Sequence, residues 1–126
     1  MIHLDTNLLI GAGDTADEHN LTARRVLAGA GPFGCSAVAW TEFHSQPLPP
    51  VLHAATRGLL TGGILPFDEA TAVLAGELYH LTGSKRRTRL DTMIAATAIL
   101  AGAELATVDP DDFKVFLPHG LKLHPL

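Results

Sequence analysis

The sequence predicts an α/β fold in which a mostly parallel central β-sheet is flanked by α-helices, a three-layer α/β/α sandwich. Short apolar runs such as Ile2-His3-Leu4 alternate with longer stretches of helical periodicity. Glycines and prolines separate these elements at short intervals. Polar residues, Asp5-Thr6-Asn7 and Asp109-Pro110, follow directly on two of the apolar runs, where a parallel sheet delivers functional side chains at its strands' carboxyl ends.

Ile2 to Leu4 reads as a buried strand, and Leu8 to Ile10 begin a turn or helix. Asn20 to Ala28 is a helix with Leu21, Val26 and Leu27 as apolar contacts, stopped by Gly29-Ala-Gly31-Pro32. A short strand follows around Phe33 to Cys35. Ser36 is a natural N-cap for a helix through Val38, Trp40, Glu42 and Phe43, which must end before Pro47 because proline lacks the amide hydrogen a helix needs. A helix is expected over Val51 to Leu60, then a turn at Gly62 to Pro66 leading into a brief strand. Asp68 caps a long helix to about Leu81. In Thr88 to Ala101, Leu90, Met93, Ile94, Thr97 and Leu100 share one helical face, while Ala95, Ala96, Ala98 and Ala101 permit close packing. Gly102 suits the position just past that helix. Glu104 to Val108 reads as a strand, Asp109-Pro110 as a helix start, and Leu121 to His124 as an edge strand.

The chain has 126 residues and no repeat, low-complexity tract or linker, so residues 1–126 form one domain. Folding such a chain buries roughly two-thirds of the surface it exposes when unfolded. With 47% hydrophobic and 17% charged residues, the composition excludes intrinsic disorder. The opening stretch has no basic region ahead of an apolar one, and Asp5 interrupts its apolar run, so neither a signal peptide nor a membrane span is expected and the location expected is the cytoplasm. The single cysteine, Cys35, is expected as a buried small hydrophobe. The net charge of −4 runs against polyanion binding, but metal ions would neutralise gathered acids and the cations are bunched at Lys85-Arg86-Arg87 and Arg89.

Each acid has a structural explanation. Asp5 can cap the helix after it; Asp91 lies three residues after Thr88, the spacing of a capping box; Asp109 precedes Pro110 and Asp112 as at a helix N-terminus. Glu42, among apolar neighbours with no obvious basic partner, can simply face solvent. Against these readings, Asp5 and Asp109 end two strands, and Glu42 and Asp91 occupy early turns of helices flanking the same sheet edge. Converging carboxylates repel one another in a low-dielectric cleft, so a fold keeps them only if cations occupy it or some members stay protonated. Hard oxygen ligands suit Mg²⁺ or Mn²⁺, which can supply hydroxide and stabilise charge on a phosphate.

Leu4-Asp5-Thr6-Asn7, Ser36 with Thr41-Glu42-Phe43, Arg89-Leu90-Asp91-Thr92-Met93-Ile94-Ala95-Ala96-Thr97-Ala98, and Thr107-Val108-Asp109-Pro110-Asp111-Asp112-Phe113 stand in an order and spacing that resembles the PIN-domain ribonucleases, particularly VapC-type toxins of toxin–antitoxin pairs. The resemblance covers nearly the whole chain. It implies a Mg²⁺- or Mn²⁺-dependent endoribonuclease whose metal-binding acids are Asp5, Glu42 and Asp91, with Asp109 the fourth and Asp112 sharing or replacing it. It implies Asn7 and Thr107 as residues that orient a carboxylate or water. It also implies a VapB-type antitoxin whose C-terminal segment occupies the groove, and a homodimer.

The run Lys85-Arg86-Arg87-Thr88-Arg89 is either a phosphate grip beside the metals or a solvated loop. His3, His44, His53, His80, His119 and His124 form no zinc pattern, and no glycine-rich nucleotide loop is present. Trp40, Phe43 and Phe113 are expected in a core or dimer contact rather than as base-stacking surfaces. Two other functions compete. A haloacid-dehalogenase-like phosphohydrolase would attack phosphorus with an aspartate after the first strand, but wants a second Asp where Asn7 stands. A non-catalytic PIN-like binding domain would use its acids only as helix caps.

Overall fold

Five short strands, β1 (Ile2–Leu4), β2 (Phe33–Ser36), β3 (Gly63–Leu65), β4 (Glu104–Ala106) and β5 (Lys122–Leu123), pair into one sheet ordered β3-β2-β1-β4-β5 in the computed structural model, which describes residues 1–126. Every pairing is parallel, so the sheet is wholly rather than mostly so. Six α-helices connect and flank the strands: α1 (Thr6–Gly13), α2 (Asn20–Leu27), α3 (Ala37–His44), α4 (Pro50–Leu59), α5 (Glu69–Leu81) and α6 (Arg89–Ala101). They complete the α/β/α sandwich expected from the sequence. None is long and apolar enough to cross a membrane.

Central parallel strands are covered on both faces, which is why β1 and β2 are buried at every position. Leu4, Cys35 and Leu105 from the sheet pack with Leu8 and Leu9 of α1, Ala39 and Phe43 of α3, and Ala95 and Ala98 of α6 into the main core. Each large apolar side chain so removed from water contributes roughly 1.5–3 kcal/mol. Cys35 is fully buried, and burial pushes its thiol up to about 12, leaving it an inert core residue.

Local chemistry sets the helix ends. Ser36 Oγ accepts from the Ala39 amide at 2.9 Å, and Asp68 Oδ1 accepts from the Thr71 amide at 3.0 Å, both as the sequence predicts. Gly102 ends α6 with φ of 63°, a left-handed conformation that an L side chain resists. The edge strand expected at the C-terminus forms as β5. The residues expected as a turn at Gly62 to Pro66 instead contain β3 itself, and β4 stops at Ala106, short of Val108.

The face of α6 differs from the amphipathic reading. Of the expected face, Ile94 and Thr97 are buried, but Leu90 and Leu100 are 47% and 53% exposed, and Thr92, Ala95, Ala96 and Ala98 are buried in their place. The helix lies against the rest of the fold through Ile94 and its small residues, which allow close approach, and leaves its two large terminal leucines outside.

The chain runs outward from β1 through β2 to β3, then returns to the other side of β1 to place β4 and β5. The direction of winding therefore reverses between β1 and β4, and an open parallel sheet has its crevice where its strand order reverses, outside the strands' carboxyl ends.

Candidate active site

Asp5 leaves the end of β1 into that crevice and is only 7% exposed. One carboxylate oxygen caps α1, accepting from the Thr6 amide at 2.8 Å, and the other accepts from Thr107 Oγ1 at 2.8 Å. Thr107 follows β4, and its hydroxyl also accepts from the Asp109 amide at 3.0 Å, tying the ends of the two strands together. The first turn of α1 reaches two further acids. Thr6 Oγ1 donates to Glu42 Oε1 at 2.8 Å, and Asn7 Nδ2 donates to Asp109 Oδ2 at 3.0 Å. Glu42 arrives on the last turn of α3 rather than the early turn expected of it, and Asp91 arrives on the first turn of α6.

These residues wall a cleft of about 250 Å³ that holds Asp5, Glu42, Asp91, Asp109 and Asp112, with Thr6, Asn7, Ser45 and Gln46 between them. No lysine, arginine or histidine lines it. The ion pairs of the structure, His19–Glu18, Lys114–Asp111 and His124–Glu104, involve none of the cleft acids. Burial raises the Asp5 pKa, with Glu42 and Asp109 adding to the rise and the Thr107 and Thr6 hydrogen bonds opposing it. Asp91 is pushed up to about 7, first by burial and then by the charges of Asp5, Asp112, Glu42 and Asp109. A cleft that holds acid after acid without a counter-charge is unfavourable unless a cation enters it or some members, Asp91 first, hold protons.

A divalent metal suits these donors. All are oxygens, the preference of Mg²⁺ and Mn²⁺. No three side chains form a ready-made cage. That too fits Mg²⁺, which keeps several waters and takes one or two carboxylates directly.

The structure thus brings Asp5, Glu42, Asp91, Asp109 and Asp112 together, with Asn7 and Thr107 hydrogen-bonded to two of them. Only Asp5 also serves as a helix cap. Thr88 makes no side-chain cap, its hydroxyl donating instead to Lys85 O at 2.7 Å, so the capping box around Asp91 does not form. Asp109 caps nothing with its carboxylate, which turns to Asn7; a short 3₁₀ turn, Pro110–Asp112, follows it. Lys85 and Arg87 line a neighbouring cavity, whereas Arg86 is exposed away from it and the Arg89 guanidinium lies 5.6 Å over the Tyr79 ring. Phe43 and Phe113 are buried in the core, with the half-buried Trp40 ring 5.1 Å from Phe43, as expected of core aromatics.

Sequence reasoning passed over Thr6, Ser45 and Gln46. Thr6 carried a usable signal: it stands between Asp5 and Asn7 at the start of a helix, so its hydroxyl faces the same crevice as both. Ser45 and Gln46 carried none, being ordinary polar residues after a helix end.

The sequence matches the PIN domain family over residues 2–116. No curated protein matches it. Among solved structures, it is similar to a chain of FitAB bound to an IR36 DNA fragment, at 26% identity over 98% of this chain and 94% of that one, with a TM-score of 0.71. It is similar to a chain of VapBC2 from Rickettsia felis bound to a promoter DNA fragment, at 21% identity over 98% of each chain and a TM-score of 0.69. It shares its fold with VapC20 of Mycobacterium tuberculosis, a toxin that cleaves the sarcin–ricin loop, at 16% identity over 99% of this chain and 100% of that one, with a TM-score of 0.68.

Proposed function

The chain belongs to the PIN-domain family, and on that premise we propose that it is a metal-dependent endoribonuclease, the toxin of a VapBC-type toxin–antitoxin pair. The observation that carries the reading is the gathering of five carboxylates in one cleft with no basic side chain among them. Family membership sets aside the phosphohydrolase alternative, which needs an acid at Asn7; here that amide is committed to Asp109. A purely binding domain has no need of a carboxylate that burial and then the charges of four other acids raise to about 7, as they do Asp91.

Asp5, Glu42, Asp91 and Asp109 would hold Mg²⁺ or Mn²⁺, with Asp112 sharing the place of Asp109. When bound, such an ion supplies hydroxide from water near neutral pH and stabilises charge on the phosphate under attack. The remaining work belongs to the chain. Thr107 fixes one oxygen of Asp5 and the Thr6 amide the other, so that carboxylate has a single orientation. Thr6 does the same for Glu42 and Asn7 for Asp109. Asp91 accepts no comparable bond and is the acid whose charge most needs a cation beside it.

FitAB, VapBC2 and the other toxin–antitoxin complexes of this fold support a cognate antitoxin as partner, and a VapC toxin that cuts the sarcin–ricin loop supports RNA as substrate. A homodimer and a cytoplasmic location complete the reading. The test is cleavage of RNA with Mg²⁺ or Mn²⁺. Asp5→Asn and Asp91→Asn are each expected to abolish it while the protein still melts cooperatively, and wild-type cleavage by both would sink the assignment.

A further inference from the structure

Beside the acidic cleft lies a second cavity of about 300 Å³, lined by Lys85 and Arg87, by Thr82 and Thr88, and by Asp91, Asp111 and Asp112. Asp91 and Asp112 line both spaces, so the two are adjacent. The sequence reading left the basic run as either a phosphate grip or a solvated loop; the fold divides the run. Lys85 and Arg87 face the cavity, Arg86 does not, and Arg89 is occupied with Tyr79.

Two features separate this cavity from an ordinary solvated loop. Lys85 and Arg87 make no ion pair although three aspartates share their walls; of these, Asp111 is taken by Lys114. The hydroxyls beside them are also of one kind. Thr82 Oγ1 donates to Leu78 O at 2.7 Å and Thr88 Oγ1 donates to Lys85 O at 2.7 Å. Each hydroxyl proton is thereby spent on the backbone, and what remains on each oxygen is an acceptor. Free cations and acceptor-only hydroxyls match a phosphate and a ribose hydroxyl donor. Only Val115 is apolar, so no wall stacks a base.

Resting on the ribonuclease reading above, we propose that this cavity is a one-nucleotide subsite flanking the cut, where Lys85 and Arg87 hold the phosphate next to the scissile one and the Thr82 and Thr88 oxygens accept from the ribose. Its volume is at the small end of binding-site sizes, enough for one nucleotide rather than several. The graded charge explains the register. A phosphate is drawn to Lys85 and Arg87 and repelled by Asp91 and Asp112, so the strand can lie across the acids only with a cation at the cut. Contact is with backbone and sugar, which position a strand without reading its sequence.

The test uses single-stranded RNA carrying a fluorophore and the full chain with Asp5→Asn in Mg²⁺, read by anisotropy across a salt series. Should that chain cut RNA, the same titration is read with Ca²⁺ in place of Mg²⁺, which keeps a cation among the acids. Adding Lys85→Ala and Arg87→Ala is expected to weaken binding roughly tenfold and to lower the salt slope by roughly 0.7 to 1.4, whatever the RNA sequence. Arg86→Ala with Arg89→Ala removes the same charge from the same loop and is expected to cost less than a third of that. A DNA strand of the same sequence should bind more weakly than RNA, and the gap should close when Thr82 and Thr88 are both changed to Val. Equal losses for the two arginine-containing pairs, no loss for either, or no measurable binding would overturn the subsite. Absence of metal-dependent cleavage by the wild-type chain, with the binding pattern intact, would overturn the nuclease reading and leave the subsite standing.

Discussion

Replacing Asp91 by Asn separates a metal-site acid from a helix-end acid by the sign of a stability change. Burial and four neighbouring acids raise its pKa from 3.8 to about 7 in the folded chain, so at neutral pH its charge opposes folding. The gap corresponds to roughly 4 kcal/mol if counted in full, and solvent screening of this half-buried group reduces it to roughly 1–1.5 kcal/mol. Against that, an anion in the first turn of α6 is favourable by roughly 0.3–1 kcal/mol, which Asn forfeits. Burial and repulsion together outweigh it, so D91N in EDTA at pH 7.5 should melt higher, by up to about 5 °C. Because the folded pKa is raised, the folded state holds the extra proton; the advantage of D91N is fullest above pH 7 and fades as pH falls through 7 toward 4. Mg²⁺ or Mn²⁺ should reverse the order, since a ligand stabilises the chain that binds it more tightly. The assay is thermal unfolding of both chains at pH 5 to 8, with EDTA and with the cation. A D91N chain less stable than wild type in EDTA at pH 7.5 would refute the reasoning and leave Asp91 a helix-end acid.

Two further substitutions address residues beneath the site. Thr107→Val keeps shape but removes both the donor to Asp5 and the acceptor for the Asp109 amide; it should weaken metal binding or cleavage roughly 10–100-fold, measured by Mn²⁺ titration and initial rates. Unchanged values for both would reduce Thr107 to packing. His3→Leu tests a buried imidazole in the central strand: it is 1% exposed, neither ring nitrogen has a partner, and burial lowers its pKa from 6.5 to about 4. A lowered imidazole pKa means the unfolded chain binds the proton first, so wild-type stability falls as pH drops from 6.5 toward 4, by roughly 1–2 kcal/mol at pH 5. Urea unfolding at pH 7 and 5 should show H3L losing less over that interval, and an equal loss would place the acid sensitivity elsewhere.

How far the sequence could be read depended on whether a residue's partner was near in the chain or distant. Ser36 and Asp68 act on amides three residues ahead, so their helix starts were legible from spacing alone. Asp109 shows the limit. Its position before Pro110 is that of a helix cap, yet its carboxylate goes to Asn7, 102 residues away, and no local pattern records that choice. Thr88 and Asp91 have capping-box spacing, but Thr88 turns back to Lys85 and frees Asp91 for the cleft. The α6 face was legible at its centre, where Ile94, Thr97 and the alanines are buried as expected, and not at its ends, where Leu90 and Leu100 lie outside because the contact does not extend that far. The cluster itself was legible only as a set: β1 and β4 are far apart in sequence, and their adjacency is what joins Asp5 to Thr107 and Asp109.

The small residues of α6 and the acids of the cleft are two sides of one arrangement. Asp91 reaches the crevice only if α6 lies close over the sheet, and Ala95 and Ala98, both in the main core with no exposed surface, are what let it do so. Alanine buries little apolar area, so this contact returns less stability than leucines would. The fold therefore accepts a weaker helix contact and an uncompensated charge at the same place. Neither is explained by folding alone, since a leucine face on α6 with a neutral residue at Asp91 would be the more stable solution. Both follow if the position of the Asp91 carboxylate is itself what the scaffold is built to hold, with a cation restoring the balance of charge.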